Sequence, residues 1–329
     1  MKHLLLALAL LAAPAAAQPA PAIEADRPYT LANTVVHRFH SESLSRDYDI
    51  SITLPFGYEA DPNRRYPVLF VTDTPQSIPF VTGLHRRLRG GGRALDDAII
   101  VGLGYSVGDS GVHSRRRDYT PSPNGDIDAR PDDGKPVEYG QAEAYRLHLK
   151  NELFPWMESK YRIDPARRIY LGHSYGGLFG AHVLLTDPAM FQRYILISPS
   201  LWYDRRLLIA RERGYAMTHK DMPADAYFMV GGLETVDAPD SEPFGDSRNA
   251  MVEDQAEFVA NLQSRGYPSL HVMNEVLPGQ DHGSVWPDAV RKGMEWALNA
   301  KPRLPAKPCL DEQGKPTTGC RKPDFTPAR

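Results

Sequence analysis

Continuous apolar runs alternating with segments of helical period constrain this chain more than any other feature. Tyr66 to Thr72, Ala98 to Leu103, Arg168 to Leu171, Tyr194 to Ile197 and Tyr227 to Val230 read as strands buried on both faces. Between and after them, helical patterns occupy Ala142 to Lys160, with a kink expected at Pro155, then Gly176 to Leu185, Met251 to Ser264 and Asp288 to Leu298. Leu270 to Leu277 adds a last strand, and Val35 to Phe39 with Tyr48 to Leu54 read as an antiparallel pair at the front. Alternation of this kind implies an α/β fold: a mainly parallel sheet with helices on both faces and N-terminal antiparallel strands. In such a sheet ligand chemistry gathers beyond the carboxyl ends of the strands.

The ends of the chain are of different character. Met1-Lys2-His3, the apolar run Leu4 to Ala13 and Ala15-Ala16-Ala17 follow the order of a secretory leader cleaved after Ala17, so residues 1–17 are expected to be removed on export. The localisation implied is secreted or periplasmic. Residues 18–28 read as a flexible Pro/Ala-rich start, 29–300 as one folded domain, and 301–329 as a Pro-rich tail. No stretch is long and apolar enough for a transmembrane helix. The two cysteines, Cys309 and Cys320, lie in that tail and are expected to form one disulfide rather than a metal site.

With 38 Lys plus Arg against 41 Asp plus Glu, the chain lacks the basic excess of a nucleic-acid binder. The runs His85 to Arg89 and Arg115 to Arg117 are expected to be a solvated helix face and a loop. Neither Gly102 to Gly108 nor Gly90-Gly91-Gly92 has the spacing of a dinucleotide or phosphate loop. His37 and His40 have no third ligand nearby, and no metal or cofactor is expected.

The chemistry centres on Leu171-Gly172-His173-Ser174-Tyr175-Gly176-Gly177, a serine between an expected strand and an expected helix. A serine raised on so sharp a turn needs small residues two before and two after it, and Gly172 and Gly176 are in those places. The Tyr175 N–H, at the start of the helix, is one oxyanion donor. A serine hydroxyl is a weak nucleophile near neutral pH, so Ser174 needs a histidine base and an acid, in the chain order Ser, acid, His. His182 falls in a helix, His271 in a strand and His219 in a polar segment before one. His282, in Gly279-Gln280-Asp281-His282-Gly283 after the last strand, fits the order. The acid belongs after Tyr227 to Val230, where Glu234 is the first choice and Asp237 the alternative; Asp281 ranks third.

With these residues in place the chain resembles the putative-esterase family of α/β hydrolases, which includes esterase D-like enzymes and trilactone-siderophore esterases. The resemblance covers about Val35 to Leu298. It rests on Leu54-Pro55-Phe56-Gly57-Tyr58, Tyr66-Pro67-Val68-Leu69 leading to Asp73, Arg117-Asp118-Tyr119-Thr120-Pro121, Glu152-Leu153-Phe154-Pro155, the serine turn, Ser198-Pro199-Ser200-Leu201-Trp202 and Asp281-His282-Gly283-Ser284. It implies serine-dependent hydrolysis of a small-molecule ester by Ser174 and His282, and it is compatible with Glu234 as the acid. Acyl transfer or peptide cleavage by the same triad, and a silent binding protein on this fold, are the rival readings.

One departure from the family pattern is Asp73-Thr74-Pro75-Gln76, where members commonly carry Asp-Gly before the second oxyanion donor. Pro75 has no N–H, so the donor falls to Thr74 or Gln76. The segment Tyr105 to Tyr139 reads as a long loop walling the site. Within it Arg117 either binds an anionic or catechol-bearing substrate or pairs with Asp118 or Glu152. Trp202 is a candidate wall of the acyl pocket or a packing residue. Too few residues separate Trp202 from Ala226 for a large lid, so an open cleft is expected.

Overall fold

The computed structural model describes residues 28–90, 95–126, 129–238 and 250–298, with the backbone of 309–310 and 316–317. The strands β1 (Thr34–Ser41), β2 (Arg46–Thr53), β3 (Tyr66–Val71), β4 (Ile99–Ser106), β5 (Ile163–His173), β6 (Arg193–Ile197), β7 (Ala224–Gly231) and β8 (Leu270–Leu277) form one sheet in the order β1-β2-β4-β3-β5-β6-β7-β8. β1 pairs antiparallel with β2 and β2 with β4, while every later neighbour is parallel. Burial follows position. All six residues of the central β3 are buried, whereas β1 and β8, at the edges, are largely open. This is the α/β-hydrolase architecture expected from the sequence, with the parallel strands all ending on the same side.

Helices cover the sheet on both faces. They are α1 (Thr74–Leu88), α2 (Gly111–Tyr119), α3 (Ala142–His148), α4 (Phe154–Lys160), α5 (Tyr175–Thr186), α6 (Tyr203–Thr218), α7 (Met251–Ser264) and α8 (Val285–Leu298). α5 is buried from Gly176 to Leu185, packed on β5 and β6 on one side and against α2 and α3 on the other. That explains an apolar sequence with little amphipathic contrast. α8 buries Val285, Ala289, Val290, Gly293, Met294 and Ala297, a stripe of three- and four-residue steps facing the sheet.

The segment Tyr105 to Tyr139 is not one long loop, because α2 lies inside it and buries His113, Ser114, Arg117, Asp118 and Tyr119. Its charges are neutralised within the protein rather than by water, which hides the helical pattern from a hydrophobicity reading. The stretch Ala142 to Lys160 is helical throughout, as expected, but accommodates Pro155 by a π-helical turn at Leu149–Leu153 between α3 and α4. A proline ring displaces the carbonyl four residues earlier, and the wider turn relieves that clash. α6 is an additional helix where no helical pattern was read; α1 extends the helix face expected at His85 to Arg89 back to Thr74, and His85 in that face is buried rather than solvated. α6 opens with Asp204, Arg205 and Arg206 at φ of 45°, 55° and 66° before its regular part. Cys309–Leu310 pairs antiparallel with Pro316–Thr317; Cys320 and the leader lie outside the described residues.

Candidate active site

Ser174 sits between the end of β5 and the start of α5 with φ 58° and ψ −119°. A side chain rarely adopts that backbone, and here it is imposed by the sharp strand-to-helix turn. The flanking glycines are needed sterically. A Cβ on Gly172 would lie 2.4 Å from the Gly176 carbonyl oxygen, and one on Gly176 would lie 2.4 Å from Thr72 Oγ1. Ser174 N–H donates to the Ile197 carbonyl of β6, which anchors the turn to the sheet (3.0 Å). The Ser174 hydroxyl lies 3.5 Å from that of Ser200.

Glu234 and His282 come together from separate strand ends. Glu234 follows β7 in a tight turn, its N–H donating to the Gly231 carbonyl at 3.1 Å. His282 follows β8, and the two exits are zipped together by Gly232 N–H to Leu277 O (2.8 Å) and Leu233 N–H to Gln280 O (2.9 Å). His282 Nδ1 and Glu234 Oε2 are 2.6 Å apart. A carboxylate only accepts, so Nδ1 carries the ring proton and Nε2 keeps its lone pair. The Glu234 side chain is fully buried. Its Oε1 accepts from Ser198 Oγ at 2.6 Å and from Gly231 N–H at 2.8 Å. Three donors therefore fix one carboxylate.

The alternative acids are elsewhere. Asp237 is exposed, and its backbone N–H lies 3.5 Å from Thr235 Oγ1; among the described residues its carboxylate has no hydrogen bond to His282. Asp281 folds back on its own loop, accepting from the N–H groups of Gly283 and Ser284 at 2.8 Å. No hydrogen bond joins Ser174 Oγ to His282 in this structure, although a looser nucleophile–base contact is usual before substrate arrives.

The residues considered for the oxyanion hole separate by their hydrogen bonds. Gln76 N–H is engaged with the Asp73 carbonyl at 3.2 Å, closing the first turn of α1. Among the described residues, no group accepts from Thr74 N–H or from Tyr175 N–H, the first amides of α1 and α5. Such amides at a helix start have no intrahelical partner. Thr74 Oγ1 is buried and unpartnered as well.

Beside the serine turn opens a cleft of about 700 Å³, lined by Asp73, Pro75, Tyr105, Arg115, His173 and Trp286 among others. The His173 and His282 rings lie 4.4 Å apart, and Trp286 lies 5.7 Å from His173. Burial, with repulsion from His282 and Arg115, holds the His173 imidazole well below its ordinary range, so it is neutral. Trp202 packs 6.2 Å from the Tyr175 ring, next to the serine turn.

Arg117 does not face this cleft. It is buried, with Nε 2.8 Å from Asp118 Oδ1 and a terminal nitrogen 2.7 Å from Asp109, which corrects its candidacy as a substrate-binding cation. Glu152 instead accepts from the N–H groups of Glu42 and Ser43. Among the described residues the arginine that lines the cleft is Arg115, from the run expected to be a solvated loop. Ser198, whose hydroxyl donates to Glu234, was visible in the sequence only as part of Ser198-Pro199-Ser200, with nothing to mark that contact.

The family model described as putative esterase matches residues 41–272. The ferri-bacillibactin esterase BesA of Bacillus subtilis is 28% identical over 279 residues, covering 82% of this chain and 91% of that protein. The siderophore enterobactin esterase of Emericella nidulans is 35% identical over 219 residues, covering 61% of this chain and 72% of that protein. Among solved structures, the BES protein from Bacillus cereus superposes with a TM-score of 0.67 at 26% identity, covering 83% of this chain and 99% of that one.

Proposed function

The chain belongs to the putative-esterase family of ester hydrolases, and from that premise we propose that it cleaves carboxylic esters through a serine acyl-enzyme. Ser174 Oγ attacks the ester carbonyl while His282 Nε2 takes its proton. The tetrahedral oxygen is held by the N–H groups of Tyr175 and Thr74. Collapse expels the alcohol, which receives the proton from His282, and water then repeats the sequence to release the acid. Glu234 orients His282 and stabilises the imidazolium without taking its proton. The observation that carries this reading is the buried Glu234 bound at 2.6 Å to His282 Nδ1, with a strained serine just beyond the carboxyl end of β5 on the same side of the sheet.

The substrate proposed is a siderophore ester or an ester of similar bulk. The relatives named as siderophore esterases support it, and the open cleft of about 700 Å³ is large enough for one arm of such a molecule. The leader-like residues 1–17 support export to the periplasm or beyond the cell. Among the described residues no helix is long and apolar enough to cross a membrane.

The test is intact-mass labelling by a fluorophosphonate beside turnover of chromogenic acyl esters. One adduct at Ser174 is expected, with its loss and a fall in kcat of roughly 10⁶-fold in Ser174→Ala. Full turnover in that variant, or a folded wild type without adduct, overturns the proposal.

A further inference from the structure

The cleft contains an arginine that the ester chemistry above does not use. Arg115, on α2, touches both strand ends that carry the oxyanion donors. Its Nε lies 2.6 Å from Asp73 Oδ1, a close ion pair whose N–H is not aligned on the oxygen. A terminal nitrogen donates to the carbonyl of His173, the residue before the nucleophile, at 3.3 Å. The guanidinium also lies 5.7 Å from the centre of the Tyr175 ring. Asp73 follows the end of β3 and immediately precedes Thr74; His173 ends β5 and precedes Ser174 and Tyr175.

Asp73 is itself held in an unusual state. Its φ of 59° and ψ of 48° are left-handed, which a non-glycine residue keeps only when its surroundings over-determine it. The surroundings here are Arg115 and Tyr105, whose hydroxyl donates to Asp73 Oδ1 at 2.8 Å, and Thr72, whose hydroxyl donates to Oδ2 at 3.3 Å. The backbone turn at Asp73 aims the Thr74 N–H, and Pro75 next to it removes the amide that would otherwise share the task.

We infer that Arg115 is a positioning residue for the oxyanion hole, tying the Asp73–Thr74 turn to the His173–Ser174–Tyr175 turn so that both donors converge on one point. Tyr105 is its partner on Asp73. The inference rests on the serine-esterase reading above and deepens it. It places the role of Arg115 in the transition state: the donors matter when charge develops on the carbonyl oxygen, so the arginine acts on kcat and not on substrate affinity.

The experiment measures kcat and KM on a neutral short-chain nitrophenyl ester, and the rate of fluorophosphonate inactivation, for wild type, Arg115→Gln, Arg115→Lys and Tyr105→Phe, with thermal midpoints alongside. A displacement of about 1 Å near the chemistry costs on the order of 10²-fold. Arg115→Gln is therefore expected to lose roughly tenfold to a hundredfold in kcat with KM within about twofold, and to slow inactivation in parallel. Arg115→Lys keeps the charge beside Asp73 but lacks the fork that reaches both strand ends, so it falls between. Tyr105→Phe loses kcat in the same manner but less. The inference is overturned if the Arg115→Gln loss lies in KM and appears only with anionic esters, which would make Arg115 a substrate cation. It is equally overturned if kcat and inactivation are unchanged, or if Arg115→Gln loses thermal stability in step with activity while Tyr105→Phe is indistinguishable from wild type. A folded wild type with neither adduct nor turnover fails the serine reading itself, and the inference falls with it.

Discussion

Replacing Glu234 by glutamine changes one oxygen to an NH2 group, and the hydrogen bonds around it determine which one. Oε1 accepts from Ser198 Oγ and Gly231 N–H, so an amide nitrogen placed there would face two donors. The amide nitrogen is forced to the His282 side, where it meets the proton on Nδ1. The clash is relieved when the imidazole moves its proton to Nε2, and that tautomer cannot accept the proton of Ser174. The same carboxylate-to-amide exchange in a serine triad lowers kcat about 10⁴-fold. At 1.36 kcal/mol per decade this is ~5.4 kcal/mol of lost transition-state stabilisation. Steady-state hydrolysis of a chromogenic ester, with the thermal midpoint as a folding control, reads the loss directly. Asp237→Asn, at an exposed side chain without a hydrogen bond to His282 or Glu234, serves as the matched control and is expected to retain activity within about twofold. Ser198→Ala leaves Oε1 with the Gly231 donor alone. A hydrogen bond to a charged group is worth ~1.5–3 kcal/mol, so a loss of about tenfold to a hundredfold is expected if it passes fully to His282. Glu234→Gln within tenfold of wild type, or Asp237→Asn equally damaged, refutes the assignment.

Two further outcomes follow from individual groups. Thr74→Val removes a buried hydroxyl that has no partner while keeping the main-chain N–H, so activity is expected within about threefold and stability unchanged or slightly raised, by kcat and thermal midpoint. A hundredfold fall would transfer the donor role to the hydroxyl. Glu143 is held at a pKa of about 2, first by hydrogen bonding to Arg146 and then to His182. Its folded pKa lies below its unfolded one, so its contribution is present above the ordinary carboxylate range and is lost as pH falls toward 2. Urea midpoints measured from pH 6 to pH 2.5 should fall along this limb, and Glu143→Gln should flatten it; an unchanged slope would show that other carboxylates carry it.

Steric necessity made part of this molecule readable from its sequence. Gly172 and Gly176 occupy places where a single Cβ would collide with backbone or with Thr72, so the turn that lifts Ser174 is written in residue types. The central strands were readable for a similar reason: residues buried on both faces leave no polar positions to confuse the pattern. α2 was not readable, and α1 only at its basic end, because their buried faces include Ser77, Thr82, Arg117 and Asp118. Such groups look solvated until their partners are known, and the partners are distant in sequence. Arg46 reaches Asp118 and Arg115 reaches Asp73 across several elements.

The same limit divides the site. Chain order alone places an acid after β7 and a histidine after β8, but two carboxylates three residues apart satisfy it equally. What separates them is the turn of Glu234 onto Gly231 and the zipping of the β7 and β8 exits, which turns Glu234 inward and leaves Asp237 in solvent. Those bonds are backbone to backbone and carry no residue signature. Pro75 is the converse case: its missing N–H is explicit in the sequence, yet its consequence is set by Gln76 N–H already being spent on the Asp73 carbonyl. A proline at the second position of α1 costs that helix nothing, since its amide would have no intrahelical partner, and among the described residues Thr74 N–H stands beside it without an acceptor while Gln76 N–H is engaged. If Thr74 N–H is a donor to the oxyanion as proposed, its placement depends on the left-handed Asp73, and Asp73 is paired with Arg115, so an arginine in a run that reads as surface is expected to bear on the rate of an ester's cleavage.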